Sequence, residues 1–75
     1  MASVGTHIKR LRTEKCMTQE ELAEQLHVTR QAVSAWETGK ALPDVETLER
    51  IAAALGTDVT EVIYGTKSAP DLAAL

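Results

Sequence analysis

Residues 18–39 read T-Q-E-E-L-A-E-Q-L-H-V-T-R-Q-A-V-S-A-W-E-T-G, and this stretch decides the fold of the 75-residue chain. Thr18 and Glu21 have the spacing of a capping box, in which each side chain bonds the other residue's backbone amide at a helix start. Thr29 is a second N-cap signal, and Gly39 is a residue that commonly ends a helix. The pattern predicts two short helices separated by a turn of only a few residues.

The two predicted helices are amphipathic. Their apolar residues at helical spacing are Leu22, Ala23 and Leu26 in the first helix and Ala32, Val33 and Trp36 in the second. The opposite face of the second helix is polar and carries Arg30, Gln31 and Ser34. Two such helices joined by a tight turn form the helix-turn-helix layout, whose second helix enters the major groove of DNA. We therefore expect the helix of residues 30–38 to read DNA bases.

Three further helices are expected around this pair, at residues 4–15, 45–55 and 59–64. Their N-cap signals are Ser3, Asp44 and Asp58, and Glu61 has the spacing to complete a second capping box. No segment favours a strand, so the expected fold is an all-α, compact five-helix bundle. The DNA-binding domain is expected to cover residues 1–65. Residues 66–75 are expected to be a tail, a linker or the start of a sixth helix at Pro70.

Composition agrees with one small intracellular domain. Hydrophobic residues make up 44% of the chain, but no apolar run approaches the ~20 residues of a membrane span. The first residues lack the apolar stretch of a signal peptide. Cys16 is the only cysteine, which excludes an internal disulfide and fits a reducing compartment. These features predict a cytoplasmic protein that has no contact with membranes, and the DNA binding expected of residues 30–38 would place it at the nucleoid.

The net charge of −3 argues at first against a nucleic-acid binder. The charges are unevenly distributed, however. Residues 1–40 hold six basic and five acidic side chains, whereas residues 41–75 hold two basic and six acidic ones. The first part could present a basic face to phosphate groups while the second part faces solvent. An ordinary solvated surface explains an asymmetry of this size equally well.

Several stretches together resemble the Cro and lambdoid-phage-repressor type of helix-turn-helix domain, also called the XRE type. They are I-K-R-L-R at 8–12, T-Q-E-E-L-A-E-Q-L at 18–26, V-T-R-Q-A-V-S-A-W-E-T-G-K at 28–40, P-D-V-E-T-L-E-R-I-A-A-A-L-G at 43–56 and V-T-E-V-I-Y-G at 59–65. The resemblance implies a lambda-repressor-like fold whose third helix reads bases. It also implies a transcriptional regulator, a repressor, that binds a near-palindromic double-stranded DNA operator as a homodimer.

Carried over position by position, the resemblance implies three sets of functional residues. The residues facing base edges are Arg30, Gln31, Ser34 and Ala35. The residues contacting phosphate are Gln19 and Lys40. A structural pair, Arg12 and Glu37, would tie the first helix to the end of the third. Taken without the resemblance, the polar residues Arg30, Gln31 and Ser34 would be ordinary solvated side chains on an exposed helix. Gln19 would be an ordinary polar residue in the first turn of a helix.

The side chains match this assignment chemically. An arginine pairs in bidentate fashion with O6 and N7 of guanine, and a glutamine pairs with N6 and N7 of adenine. The sequence departs from the family pattern at two positions. Ala35 cannot hydrogen-bond a base and can only contact a thymine methyl group or leave space beside the base. Cys16 occupies a position at which the family usually has glycine or another residue that is tolerated at a helix C-terminus. Trp36 is expected to anchor the core rather than to stack on a base.

No residues in the chain resemble a catalytic set, a metal site or a cofactor site. His7, His27 and Cys16 lack zinc-ligand spacing, and no glycine-rich phosphate loop is present. A pocket for a small-molecule ligand is not expected in so small a core. The alternative function is a protein-interaction module with the same fold, such as an antitoxin or a regulator-binding partner. Salt-dependent retention on operator DNA would distinguish the two functions, since an interaction module would show no sequence preference.

Overall fold

Five α-helices make up the part of the chain that the structure, a computed structural model, describes, which is residues 3–66. They are α1 (Val4–Glu14), α2 (Gln19–Leu26), α3 (Arg30–Thr38), α4 (Val45–Ala54) and α5 (Val59–Tyr64). The expected all-α fold of five helices is confirmed. The helices α1 and α4 each end one residue before the predicted position. The expected sixth helix at Pro70 and the tail after residue 66 lie outside the described residues.

Each helix starts at the residue that the capping pattern predicted. The side chains of Ser3, Thr18, Thr29, Asp44 and Asp58 each accept a hydrogen bond from a backbone amide three residues later. The capping box of α2 is complete, since the Glu21 carboxylate in turn accepts from the Thr18 amide at 2.8 Å. In α5 the Glu61 carboxylate accepts a hydrogen bond from the Thr57 hydroxyl and lies 3.8 Å from Arg10.

The turn between α2 and α3 depends on a left-handed residue that is not a glycine. His27 has a φ of 59°, and the Val28 amide bonds the Ala23 carbonyl at 3.0 Å. The left-handed residue ends α2 and changes the direction of the chain before α3. Cys16, after α1, has a φ of 55°. A left-handed conformation costs a residue with a side chain roughly 1–2 kcal/mol. Cys16 therefore adopts a left-handed conformation at the position where the resemblance leads us to expect glycine or another residue tolerated at a helix C-terminus.

An apolar cluster lies between the five helices of residues 3–66. Its buried members are Ile8, Leu11, Leu22, Ala23, Leu26, Val33, Trp36, Ile51, Ala52, Leu55 and Val62. Helix α3 packs against α1 and α2, and α5 packs against α1 and α4. No helix within residues 3–66 has the length and apolar character needed to cross a membrane. The packing leaves the polar face of α3 on the surface.

Candidate nucleic-acid interface

One open groove runs along the outer face of α3. Its lining residues are Arg30, Gln31, Ser34, Ala35, Thr38 and Lys40. The first five follow the spacing at which residues of an α-helix share a face. The groove therefore collects all four residues predicted to face base edges, together with Lys40, one of the two residues predicted to contact phosphate. We call this surface the α3 groove.

The opposite face of α3 holds the helix in place. Val33 is fully buried and Trp36 is only 8% exposed, and both belong to the apolar cluster. Trp36 is a core residue, as predicted, and its ring is not available for stacking on bases. On the other side of α3, Arg30, Gln31 and Thr38 are exposed and Ser34 and Ala35 are half-buried, within the part of the chain that the structure describes.

Arg30 and Lys40, the two basic residues of the α3 groove, form no ion pair with a carboxylate of residues 3–66. The three ion pairs among residues 3–66 are formed by Arg10 and Arg12, and no carboxylate of this region lies within 4.0 Å of Arg30 or Lys40. Both side chains are exposed. Arg30 stands at the first position of α3 and Lys40 just beyond its C-terminus. Positive charge is thus available at both ends of the groove.

Arg12 and Glu37 form a bidentate ion pair between α1 and α3. Arg12 donates from Nε to Glu37 Oε2 at 2.6 Å and from Nη2 to Glu37 Oε1 at 3.1 Å. Its Nη1 donates to the Met17 carbonyl at 2.7 Å. The side chains are 13% and 2% exposed, respectively, so the pair is shielded from water. The structure brings together the two residues that the sequence resemblance paired.

Gln19 links this ion pair to the α3 groove. Its Nε2 donates to Glu37 Oε1 at 3.0 Å, and its Oε1 lies 3.5 Å from Arg30 Nη1. Gln19 is half-buried and occupies the first position of α2, outside the lining of the groove. The two residues predicted to contact phosphate, Gln19 and Lys40, are therefore at different places, one beside Arg30 and one beyond the end of α3.

Sequence reasoning missed two features of this interface. Thr38 lines the α3 groove, and its hydroxyl donates to the Ser34 carbonyl at 2.9 Å. The helical spacing of Thr38 from Ser34 was a signal that could have identified it. The hydrogen bonds of Gln19 had no such signal, because its partners are distant in sequence. Among residues 3–66, no three His, Cys, Asp or Glu side chains group as metal ligands would.

A family model described as helix-turn-helix matches residues 8–62 of this chain. The HTH-type transcriptional activator BcrR of Enterococcus faecalis is 45% identical over 58 residues, which are 77% of this chain but 28% of that protein. An HTH-type transcriptional regulator of Methanothermobacter thermautotrophicus is 46% identical over 59 residues, which are 79% of this chain and 86% of that protein. The chain thus spans a small part of the first relative and most of the second.

Solved structures with the same fold include two regulators. The P22 c2 repressor in complex with synthetic operator 9T has a TM-score of 0.82 at 24% identity, over 88% of this chain and 100% of that chain. SinR, a master regulator for biofilm formation solved in complex with DNA, has a TM-score of 0.74 at 32% identity, over 79% of this chain and 95% of that chain. The expected phage-repressor type of fold is confirmed.

The fold also occurs within an enzyme chain. Hydroxypropylphosphonic acid epoxidase from S. wedmorenis has a TM-score of 0.76 at 31% identity, over 80% of this chain and 32% of that chain. The fold by itself therefore does not identify the activity of a longer protein, and functional conclusions must come from the residues of the groove.

Proposed function

Because the chain belongs to the helix-turn-helix family, as its resemblance to phage repressors predicted, we propose that it is a sequence-specific DNA-binding regulator of transcription. The observation that carries this proposal is the α3 groove. It combines Arg30 and Gln31, on the face of α3 opposite the core, with Lys40 just beyond the end of the helix. The major groove of B-DNA, about 12 Å wide, admits an α-helix such as α3.

In this proposal the residues of the groove divide into two roles. Arg30 and Gln31 make hydrogen bonds to base edges, Ser34 bonds a neighbouring base, and Ala35 contacts a thymine methyl group. Lys40 neutralises a phosphate at the end of α3. Gln19 approaches a phosphate at the start of α2, where free backbone amides favour an anion. Base contacts supply specificity, whereas phosphate contacts set the register on the duplex.

We propose repression as the direction of regulation and a near-palindromic operator as the target. The immunity repressor protein of Bacillus phage phi105, 36% identical over 81% of this chain and 42% of that protein, supports repression, whereas the name of BcrR, an activator, points the other way. A homodimer is required in this proposal because one recognition helix reads only a few base pairs. Two protomers would place their helices in successive major grooves about 10 base pairs apart.

Residues 1–65 form the DNA-binding unit in this proposal, and residues 66–75 form a tail or a linker to further sequence. We propose that the unit works in the cytoplasm, at the nucleoid, and carries out no catalytic step of its own. SinR in complex with DNA and the epoxidase match this chain about equally well, at 32% and 31% identity, so the support for this assignment comes from the residues of the α3 groove.

Selection of bound sequences from a random pool of DNA duplexes tests the function directly. We expect enrichment of a two-fold-related motif, and footprinting of that motif at saturation should show two protected half-sites. Binding to the selected duplex should exceed binding to random duplex by ~10³-fold or more. Failure to enrich any motif would contradict the proposal and favour the protein-interaction module. A single unrepeated half-site would contradict only the homodimer.

A further inference from the structure

We propose that Ala35 forms the floor of a site for a methyl group on C5 of a pyrimidine, so that the domain binds 5-methylcytosine in preference to cytosine at one position of its operator. The inference rests on the proposed function and extends it from thymine to a chemically modified base. Thymine and 5-methylcytosine carry the same methyl group at the same point of the major groove, whereas uracil and cytosine lack it.

The first step is the shape of the α3 groove around Ala35. The long side chains of Arg30, Gln31 and Lys40 are exposed. Ser34 and Ala35 lie between them along the chain and are half-buried. The groove therefore has short, partly covered side chains in its middle and long, exposed ones at its ends. A base edge that is aligned by the long side chains meets the Cβ atom of Ala35.

The second step is the lack of an available hydrogen-bonding group at Ala35. Its side chain carries none, and its amide is bonded within α3, since Ala35 is an interior residue of the helix. Its carbonyl already accepts from the Lys40 amide at 2.9 Å and from the Ala41 amide at 3.3 Å. A polar atom of a base placed over Ala35 would lose its water without gaining a partner, whereas a methyl group has no such bond to lose.

The third step concerns Thr38, which lines the same groove one turn beyond Ser34. The Thr38 hydroxyl donates to the Ser34 carbonyl at 2.9 Å, so its proton is already bonded to the helix backbone. The side chain therefore offers a partner its methyl group and an acceptor oxygen, but no donor. Alanine side chains and threonine methyl groups both make apolar contacts with the C5-methyl group of thymine. Ala35 and Thr38 are three residues apart on one helix face, so both can contact one such group.

The size of the preference follows from the methyl group itself. Burial of one group of this size changes an equilibrium constant by about four-fold. Thymine differs from uracil, and 5-methylcytosine from cytosine, by this methyl group alone. The two preferences should therefore be equal at the position that Ala35 faces. Hydrogen bonds from the other residues of the groove are the same within each pair of bases.

The test uses the duplex obtained by selection, in which each thymine in turn is replaced by uracil and each cytosine by 5-methylcytosine. At the position that responds, duplexes with thymine, uracil, cytosine and 5-methylcytosine are compared. Dissociation constants are measured for wild type, Ala35→Gly and Ala35→Val. Glycine withdraws the floor of the site, and valine fills the space of the methyl group. Ala32→Gly is the matched control for the lower helix propensity of glycine, since Ala32 packs against the core.

For wild type we expect thymine over uracil and 5-methylcytosine over cytosine to be preferred by about four-fold each, at one position in each half-site. Ala35→Gly should bring both ratios close to one, Ala35→Val should bring them to one or below, and Ala32→Gly should leave them unchanged. Each ratio compares two duplexes on one variant, so partial unfolding of that variant cancels.

Three outcomes would overturn the methyl site. They are wild-type ratios near one at every position, ratios that Ala35→Gly leaves at the wild-type value, and a preference for thymine without one for 5-methylcytosine. Absence of any sequence preference in wild type would instead overturn the proposed function.

Discussion

A Cβ atom on Gly5 would lie 2.0 Å from the carbonyl oxygen of Trp36 and 3.0 Å from the Cα of Glu37. The second residue of α1 thus rests directly on the backbone at the end of α3. Only a residue without a side chain permits helices to approach so closely. Gly5 and Arg12 are seven residues apart along α1, which is about two helical turns. The Gly5 contact and the Arg12–Glu37 pair together determine the orientation of α3 relative to α1.

Gly5→Ala should lower the free energy of unfolding, because the added methyl group collides with backbone rather than with a flexible side chain. We expect a loss of about 1–3 kcal/mol, since overpacking outweighs the gain in helix propensity. Urea denaturation measures the change. Lys9→Ala is the control, since it places alanine at an exposed position of the same helix, where no collision opposes it. A more stable Gly5→Ala variant would contradict the close approach.

Arg12→Ala should destabilise the fold by ~3–5 kcal/mol, because it leaves the Glu37 carboxylate buried without its partner. Total stability in a domain of this size is on the order of 5 kcal/mol, so DNA binding should fail through unfolding. A thermal melt measures the effect. Glu14→Ala is the matched control, since Glu14 and Arg10 form an exposed ion pair, which contributes about 0–1 kcal/mol. Lost binding with an unchanged melting temperature would make Arg12 a DNA contact instead.

Arg30→Ala should weaken binding to the selected duplex by ~1–3 kcal/mol and relax specificity at one base pair in each half-site. The physical reason is the loss of donors that match a guanine edge at the start of α3. Fluorescence anisotropy on selected and random duplexes measures both quantities. The fold should be unaffected, since the Arg30 side chain is exposed. Equal losses of affinity for the selected and the random duplex would indicate that Arg30 contacts phosphate rather than a base.

Lys40→Ala should weaken binding to all sequences alike and reduce the slope of log K against log salt by up to ~0.9, the value for one phosphate contact. Lys40 is exposed at the end of the α3 groove and has no carboxylate within 4.0 Å among residues 3–66. Titrations at several salt concentrations give the slope. Lys9→Ala, an exposed lysine on α1 outside the groove, should leave it unchanged. An unaltered slope for Lys40→Ala would contradict the phosphate contact.

The stability of α4 should depend on pH through its N-cap. Hydrogen bonds from Thr47, through its side chain and its backbone amide, hold the pKa of Asp44 below its ordinary value. A carboxyl group with a lowered pKa in the folded state stabilises the fold above its unfolded pKa and loses this effect as pH falls through the folded value. Asp44→Ala should therefore lower the melting temperature at neutral pH and have a smaller effect at an acid pH well below the ordinary pKa of 3.8. An equal effect at both values would contradict the contribution of the ionised cap.

The helix starts and the polar face of α3 with Arg30, Gln31 and Ser34 could be predicted from sequence alone, because both depend on neighbours a few residues apart. A cap such as Thr18 bonds an amide three residues later, and the members of one helix face recur at a fixed spacing. Val33 and Trp36 likewise identified the buried side of α3 by their period. Family resemblance was needed to pair Arg12 with Glu37, since they lie far apart in the chain.

Tertiary structure alone decided the features that join distant or unmarked residues. No pattern identified Gly5 as a contact point, because the obstacle is the backbone of Trp36 in another helix. His27 adopts the left-handed conformation at the end of α2, a conformation that a glycine at this position would have indicated from the sequence. Gln19 was expected at a helix start, but its bonds to Glu37 and Arg30 arise only where α2 and α3 pack together. Local chemistry therefore determined which residues form the helices, and packing determined which of their side chains meet.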